Sequence, residues 1–132
     1  MCIRDSIRKI LDFFGENPFL VVNADIWTNY TFIDLLKHDL SNKLGHIILV
    51  PKPTYHQGDF SLEDNHLIKG QDFTFTGIGL YTSELFRKYN HSDLGDILRE
   101  EKNISSSIFG GYWEDIGTPE RLENARSAYN SL

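Results

Sequence analysis

Two short apolar runs, Phe19-Leu20-Val21-Val22 and His46-Ile47-Ile48-Leu49-Val50, constrain the fold more than any other feature of the chain. Neither is long enough to be a helix buried all round. Neither alternates apolar with polar residues, as a strand with one wet face does. Both therefore read as strands covered on both faces, the pattern of a parallel sheet. Helical spacing surrounds the first run. Ile7, Ile10, Leu11 and Phe14 form one apolar stripe that Gly15 is placed to end. Thr31 and Asp34 form a capping-box pattern ahead of Phe32, Leu35, Leu36 and Leu40. Alternating helix and buried strand point to an α/β fold.

The middle of the chain changes character. Asp59 to Leu62 and His66 to Lys69 flank a polar Glu63-Asp64-Asn65 turn, which predicts a hairpin. Phe73 and Phe75 alternate with Thr74 and Thr76 and lead into Gly77-Ile78-Gly79-Leu80-Tyr81, which reads as one long strand. Helices are expected over Ser83 to Tyr89 and Asp93 to Lys102. Short strands are expected at Ser107 to Phe109 and Tyr112 to Ile116, around Gly110-Gly111. Thr118 and Pro119 then open a last helix with Leu122, Ala125, Tyr129 and Leu132 on its buried side. The paired strands make the expected sheet mixed.

Length and charge narrow the function. A chain of 132 residues fits one domain with a real core. Its net charge of -6 and lack of a basic cluster argue against nucleic acid and anionic membranes as partners. No apolar run approaches the roughly 20 residues of a membrane span. Cys2 is the single cysteine, which excludes an internal disulfide and fits a reducing cytoplasm. The opening MCIRDS resembles a translated adapter remnant, so residues 1–5 read as a non-native leader and the chain start as a truncation point. His38, His46, His56, His66 and His91 lack zinc-ligand spacing with cysteine partners.

Two aspartates could carry chemistry. Asp25 lies just past the carboxyl end of a buried strand, where open α/β sheets bind ligands. A carboxylate there suits a hard cation such as Mg²⁺, which takes one or two protein carboxylates plus substrate phosphates. On position alone the plainer reading, a solvated turn residue or a helix cap, is favoured. Asp115 sits in Trp113-Glu114-Asp115-Ile116-Gly117-Thr118-Pro119. Strand alternation puts Trp113 and Asp115 on one face and Glu114 on the other. The plainer alternative is a rim charge before an ordinary helix start.

Taken together, the segments resemble a known family. VVNADIW is similar to the strand-loop of the sugar-1-phosphate nucleotidyltransferases, and WEDIGTPERL to their second metal-binding segment. The order PFLVVNADIW, GDF, FTFTGIGLY and GYWEDIGTPERL most resembles the N-acetylmuramate 1-phosphate uridylyltransferase branch, whose members are often labelled mannose-1-phosphate guanylyltransferases. The resemblance runs over residues 6–132 and implies the C-terminal part of a Rossmann-like, GT-A-like domain with a mixed central sheet.

It also implies roles. Asp25 and Asp115 would hold Mg²⁺ between the nucleotide α-phosphate and a sugar phosphate, whose oxygen displaces pyrophosphate. Gly58 would let backbone approach the sugar; otherwise it is an ordinary turn glycine. Thr76 and Gly77 would line the sugar pocket; otherwise they form a strand bulge. Asn23 would orient the Asp25 loop; otherwise it ends a strand. The expected substrates are a nucleoside triphosphate and a sugar 1-phosphate, with UTP and N-acetylmuramate 1-phosphate favoured and a guanylyltransferase acting on mannose 1-phosphate as the nearest alternative.

The sequence departs from the pattern in three places. Ala24 replaces the usual glycine before the aspartate. No glutamate-lysine-proline segment lies between Phe60 and Phe73. No Gly-rich, triphosphate-cradling loop is matched, so this chain alone is expected to be inactive. A metal-dependent glycosyltransferase would carry Asp-x-Asp where this chain has Asn23-Ala24-Asp25. A non-catalytic module with the same fold is the other alternative. Oligomeric state is left open.

Overall fold

The structure, a computed structural model, describes residues 17–89 and 93–116. The helices read from residues 7–14 and from Thr118 onward lie outside the described residues, as does Gly117. Among the described residues, eight strands and three helices follow in order. They are β1 (Phe19–Val22), β2 (Ile26–Thr28), α1 (Phe32–Leu36), β3 (Gly45–Pro51), β4 (Phe60–Glu63), β5 (His66–Lys69), β6 (Phe73–Tyr81), α2 (Ser83–Lys88), α3 (Leu94–Glu100), β7 (Ile104–Ile108) and β8 (Trp113–Asp115).

β6 is the spine. β3 runs antiparallel along one of its edges. The other edge is shared: β4 meets Phe73 at one end, and β1 pairs from Phe19↔Tyr81 to Val22↔Ile78 at the other. β5 extends the sheet beyond β4, and β7 lies parallel to β3. The sheet is mixed, as expected. β2 and β8 form a separate antiparallel ribbon.

Alternate residues of β3 and β6 feed two cores. Ile47, Leu49 and Tyr81 join Phe19, Phe60 and Ile104 with the helical residues Leu85, Phe86, Ile97 and Leu98. Ile48, Ile78 and Leu80 face the other way, onto Leu35 of α1 and Leu40. Helices thus cover both faces of the sheet, which is why the continuous apolar run in β3 is buried from Gly45 to Val50.

β1 corrects the reading of its run. It is antiparallel to β6, and only Phe19 is fully buried while Val22 is exposed. It gains one strand neighbour among the described residues, whereas β3 has two. β7 begins at Ile104, earlier than its serine-rich sequence suggested, because Ser105, Ser106 and Ser107 are held in ladder register by His46, Ile47 and Ile48. The short strands on either side of Gly110-Gly111 do not pair with each other; β7 joins β3 and β8 joins β2.

The hairpin over 60–69 forms as expected. Asp64 and Asn65 take φ of 51° and 65°, the two positive values of a type I′ turn, which asparagine and aspartate tolerate better than most residues.

Candidate active site

Gly77 organises the site. Between Ile47↔Gly79 and Leu49↔Phe75 the β3–β6 register shifts, so β6 bulges at Thr76-Gly77-Ile78. A bulge strands backbone groups, and Thr76 repairs this one from within the core. Its buried hydroxyl donates to the Ile48 carbonyl at 2.7 Å and accepts the Ile78 N–H at 3.1 Å.

Two carbonyls remain, and each captures a distant segment. The Gly77 carbonyl accepts the N–H of Asn23 at 2.9 Å, fixing the end of β1. The Thr76 carbonyl accepts the Trp113 indole N–H at 3.0 Å, fixing β8. Gly77 has φ of 85°, and a Cβ there would lie 2.6 Å from the Cβ of Asn23. Glycine is therefore needed twice over, for its conformation and for the close approach.

The same hub brings the two candidate aspartates together. Ile26 lies opposite Asp115 in the β2–β8 ribbon, and the Ile116 N–H donates to the Asp25 carbonyl at 2.9 Å. Asp25 and Asp115 thus mark one end of one ribbon. Asp25 is exposed, and among the described residues its carboxylate has no hydrogen-bond or ion-pair partner; Asp115 is half-buried. Among the described residues no three histidine, cysteine or carboxylate side chains cluster as a ready-made metal cage. Two carboxylates at a strand end, one of them open to solvent, fit a Mg²⁺ ion that draws its other ligands from phosphates and water.

A third segment is tied on by Tyr55. Its hydroxyl accepts the Asp115 N–H at 3.3 Å and donates to the Glu114 carboxylate at 3.1 Å. Burial pushes the Tyr55 phenol up; the Asp115 N–H opposes this and the charge of Glu114 adds to it, so the phenol keeps its proton and remains a donor. The loop carrying Tyr55 leads to Gly58, whose φ is also 85°. A Cβ on Gly58 would lie 2.5 Å from the carbonyl oxygen of Gln71, so this glycine is fixed by backbone crossing backbone. Asp59 continues the crossing, donating its N–H to the Phe73 carbonyl and accepting the Phe75 N–H at its carboxylate.

Of the hollows that flank these segments, two bear on the candidate residues. One, of about 440 Å³, is lined by Lys52, Thr54, Tyr55, His56, Gln57 and Gln71. The other, of about 200 Å³, is lined by Val21, Asn23, Phe75, Gly77, Leu94 and Gly95. Asn23 and Gly77 therefore share a cavity, while Gly58 belongs to the loop bounding the other. Thr76 faces the core, as its bulge alternative required. Neither aspartate lines either hollow. The roles of Tyr55 and Trp113 as ties escaped the sequence reading, because an aromatic between turn residues and one at a strand start carry no pattern that announces a hydrogen-bonded tie.

Comparison with known proteins bears on the fold and the sequence as a whole. No family model matches the chain. It is 32% identical, over 92% of its length, to the N-acetylmuramate alpha-1-phosphate uridylyltransferase of Neisseria meningitidis, and spans 59% of that protein. Its fold is similar to a Bacillus anthracis protein described as a glucose-1-phosphate thymidylyltransferase, with TM-score 0.80, 17% identity, and coverage of 98% of this chain and 61% of that one. It is also similar to a UTP-bound UGPase from Acinetobacter baumannii, with TM-score 0.75, 11% identity, and coverage of 96% and 55%. HddC from Yersinia pseudotuberculosis gives TM-score 0.74 at 16% identity, with coverage of 97% and 62%. Sequence and fold thus both resemble those of sugar-1-phosphate nucleotidyltransferases, and the chain spans about three fifths of the length of the relatives it matches.

Proposed function

We propose that the full-length enzyme containing this chain transfers a nucleotidyl group from a nucleoside triphosphate to a sugar 1-phosphate and releases pyrophosphate. The observation that carries the reading is the meeting of Asp25 and Asp115 at one ribbon end, from segments far apart in the chain. UTP and N-acetylmuramate 1-phosphate are the favoured pair. Support comes from the relative's name and from its 32% identity over 92% of this chain. Such an enzyme would serve cell-wall recycling in the cytoplasm. Among the described residues no helix is long and apolar enough to cross a membrane.

Mg²⁺, when bound, would neutralise phosphate charge and help align the displacement. Asp25 and Asp115 would hold it. The attacking atom is a phosphate oxygen of the sugar 1-phosphate, so no protein nucleophile is required. Trp113 and Tyr55 position the Asp115 strand, and Asn23 positions the Asp25 loop against Gly77. Thr76 contributes through its carbonyl, and Gly58 through the close backbone path that lets its loop border the polar hollow.

The test is pyrophosphate release by the purified full-length enzyme with Mg²⁺. UTP with N-acetylmuramate 1-phosphate should give rapid release, and GTP with mannose 1-phosphate little. Equal or greater turnover with GTP and mannose 1-phosphate would replace the favoured pair. Transfer of sugar from a nucleotide sugar to an acceptor, without pyrophosphate formation, would overturn the reaction class.

A further inference from the structure

We infer that His56 is a sugar-binding residue whose imidazole is held as a fixed Nε2–H donor toward an oxygen of the sugar in the sugar 1-phosphate; the inference rests on the function proposed above. The argument begins with a backbone N–H, which can only donate. Gly58 directs its N–H at His56 Nδ1 over 2.8 Å, so Nδ1 must accept. The hydroxyl of Thr74 lies 3.1 Å from the same nitrogen. An imidazole accepting at Nδ1 carries its proton on Nε2. Gly58 and Thr74 together thus set both the tautomer and the ring orientation. Thr74 is buried in β6, so the ring is anchored to the sheet and does not merely ride on the loop.

The Nε2–H has no partner among the described residues, although His56 is half-buried. It belongs instead to a side chain lining the hollow of about 440 Å³. The other walls are Lys52, Thr54, Tyr55, Gln57 and Gln71, all with polar groups. That lining suits a ligand rich in hydroxyl and carbonyl oxygens. The smaller hollow, walled partly by Val21, Phe75 and Leu94, suits one less well. Tyr55 also links this hollow to the ribbon bearing Asp115. A sugar seated beside His56 would therefore sit next to the strand that carries one of the two candidate metal-holding aspartates.

Two substitutions separate a sugar donor from a loop support, because each keeps one ring nitrogen's role. In His56→Asn the side-chain oxygen stands where Nδ1 stands, so it can still accept the Gly58 N–H, but nothing reaches the place of Nε2. In His56→Gln the side-chain amide reaches the place of Nε2, but the Nδ1 acceptor is gone. Both are to be made in the full-length enzyme and assayed for nucleotide-sugar formation and thermal unfolding. His56→Asn should unfold like wild type, leave the KM for UTP unchanged and raise the KM for N-acetylmuramate 1-phosphate about three- to tenfold, the loss of one neutral hydrogen bond. His56→Gln should unfold at a lower temperature yet keep the sugar KM nearer to wild type. The inference fails if His56→Asn leaves the sugar KM unchanged or moves both KM values together. It fails equally if His56→Gln loses more sugar affinity than His56→Asn. A wild-type enzyme that forms no nucleotide sugar from any sugar 1-phosphate overturns the proposed function, and this inference with it.

Discussion

Replacing Gly77 by alanine asks the backbone to hold φ near 85° with a side chain and pushes a methyl group into Asn23. The conformational strain alone costs about 1–3 kcal/mol, and denaturant unfolding of the variant should show a loss at least that large. The aspartates should behave in the opposite manner. Asp25→Asn or Asp115→Asn keeps the shape and removes the charge that would bind Mg²⁺. In the full-length enzyme each should cut turnover by roughly two to three orders of magnitude while unfolding stays near wild type. Near-normal pyrophosphate release by both would contradict the metal role. The strand-end places of Asp25 and Asp115 were legible from the apolar run and the strand alternation around them, whereas Gly77 was singled out through the family resemblance. His56 was not legible. One histidine among five carries no spacing, and only the Gly58 N–H and the Thr74 hydroxyl give its nitrogens distinct roles.

β8 spans only Trp113 to Asp115, too short to hold its place by ladder hydrogen bonds alone. It is fixed from three sides: by β2, by the Trp113 indole on Thr76, and by Tyr55. The indole bond is the link to the main sheet, so Trp113→Phe should loosen the Asp115 end while keeping an aromatic in place. The Thr76 carbonyl then loses its partner, which costs about 1–3 kcal/mol. A titration of activity with Mg²⁺ should shift to higher metal concentration. An unchanged Mg²⁺ titration in Trp113→Phe would show that β8 is held without this bond. Elements with local signals were readable from sequence: the 60–69 hairpin from its Asp64-Asn65 turn, β3 from its apolar run, and α2 and α3 from their spacing. Pairing was not. Nothing local tells that Phe19 to Val22 runs antiparallel to β6, or that the strand after Gly111 pairs with β2, because those choices are made by residues many positions away.

At the scale of the whole molecule, the parallel β3–β7 contact carries a buried histidine that makes it sensitive to acid. His46 spans it, with Nδ1 2.7 Å from the Ser105 hydroxyl and Nε2 2.8 Å from that of Ser107, and its ring stacks on His38 at 3.9 Å between centroids. Burial first, and the neighbouring His38 second, lower the His46 pKa from 6.5 to about 4. The unfolded chain therefore takes up a proton between those values that the folded chain refuses. Stability is fully present above the unfolded pKa and falls as pH drops toward the folded one, by up to about 1.4 kcal/mol per pH unit. A second acid-sensitive tie lies lower. Burial tends to raise the Glu101 carboxyl, but hydrogen bonds from Lys88, the Asn103 N–H and Tyr89 outweigh it and hold the pKa below 4.5. Its contribution is present above 4.5 and is lost only as pH falls further. The two windows barely overlap, so His46 can be read by itself. Urea unfolding followed from about pH 7 to about pH 5 should show wild-type stability declining with pH, while His46→Leu, whatever its stability at neutral pH, should decline less steeply. Equal slopes in the two proteins would place the acid sensitivity elsewhere. A shallower slope in His46→Leu would identify the β3–β7 join as an acid-sensitive part of the fold.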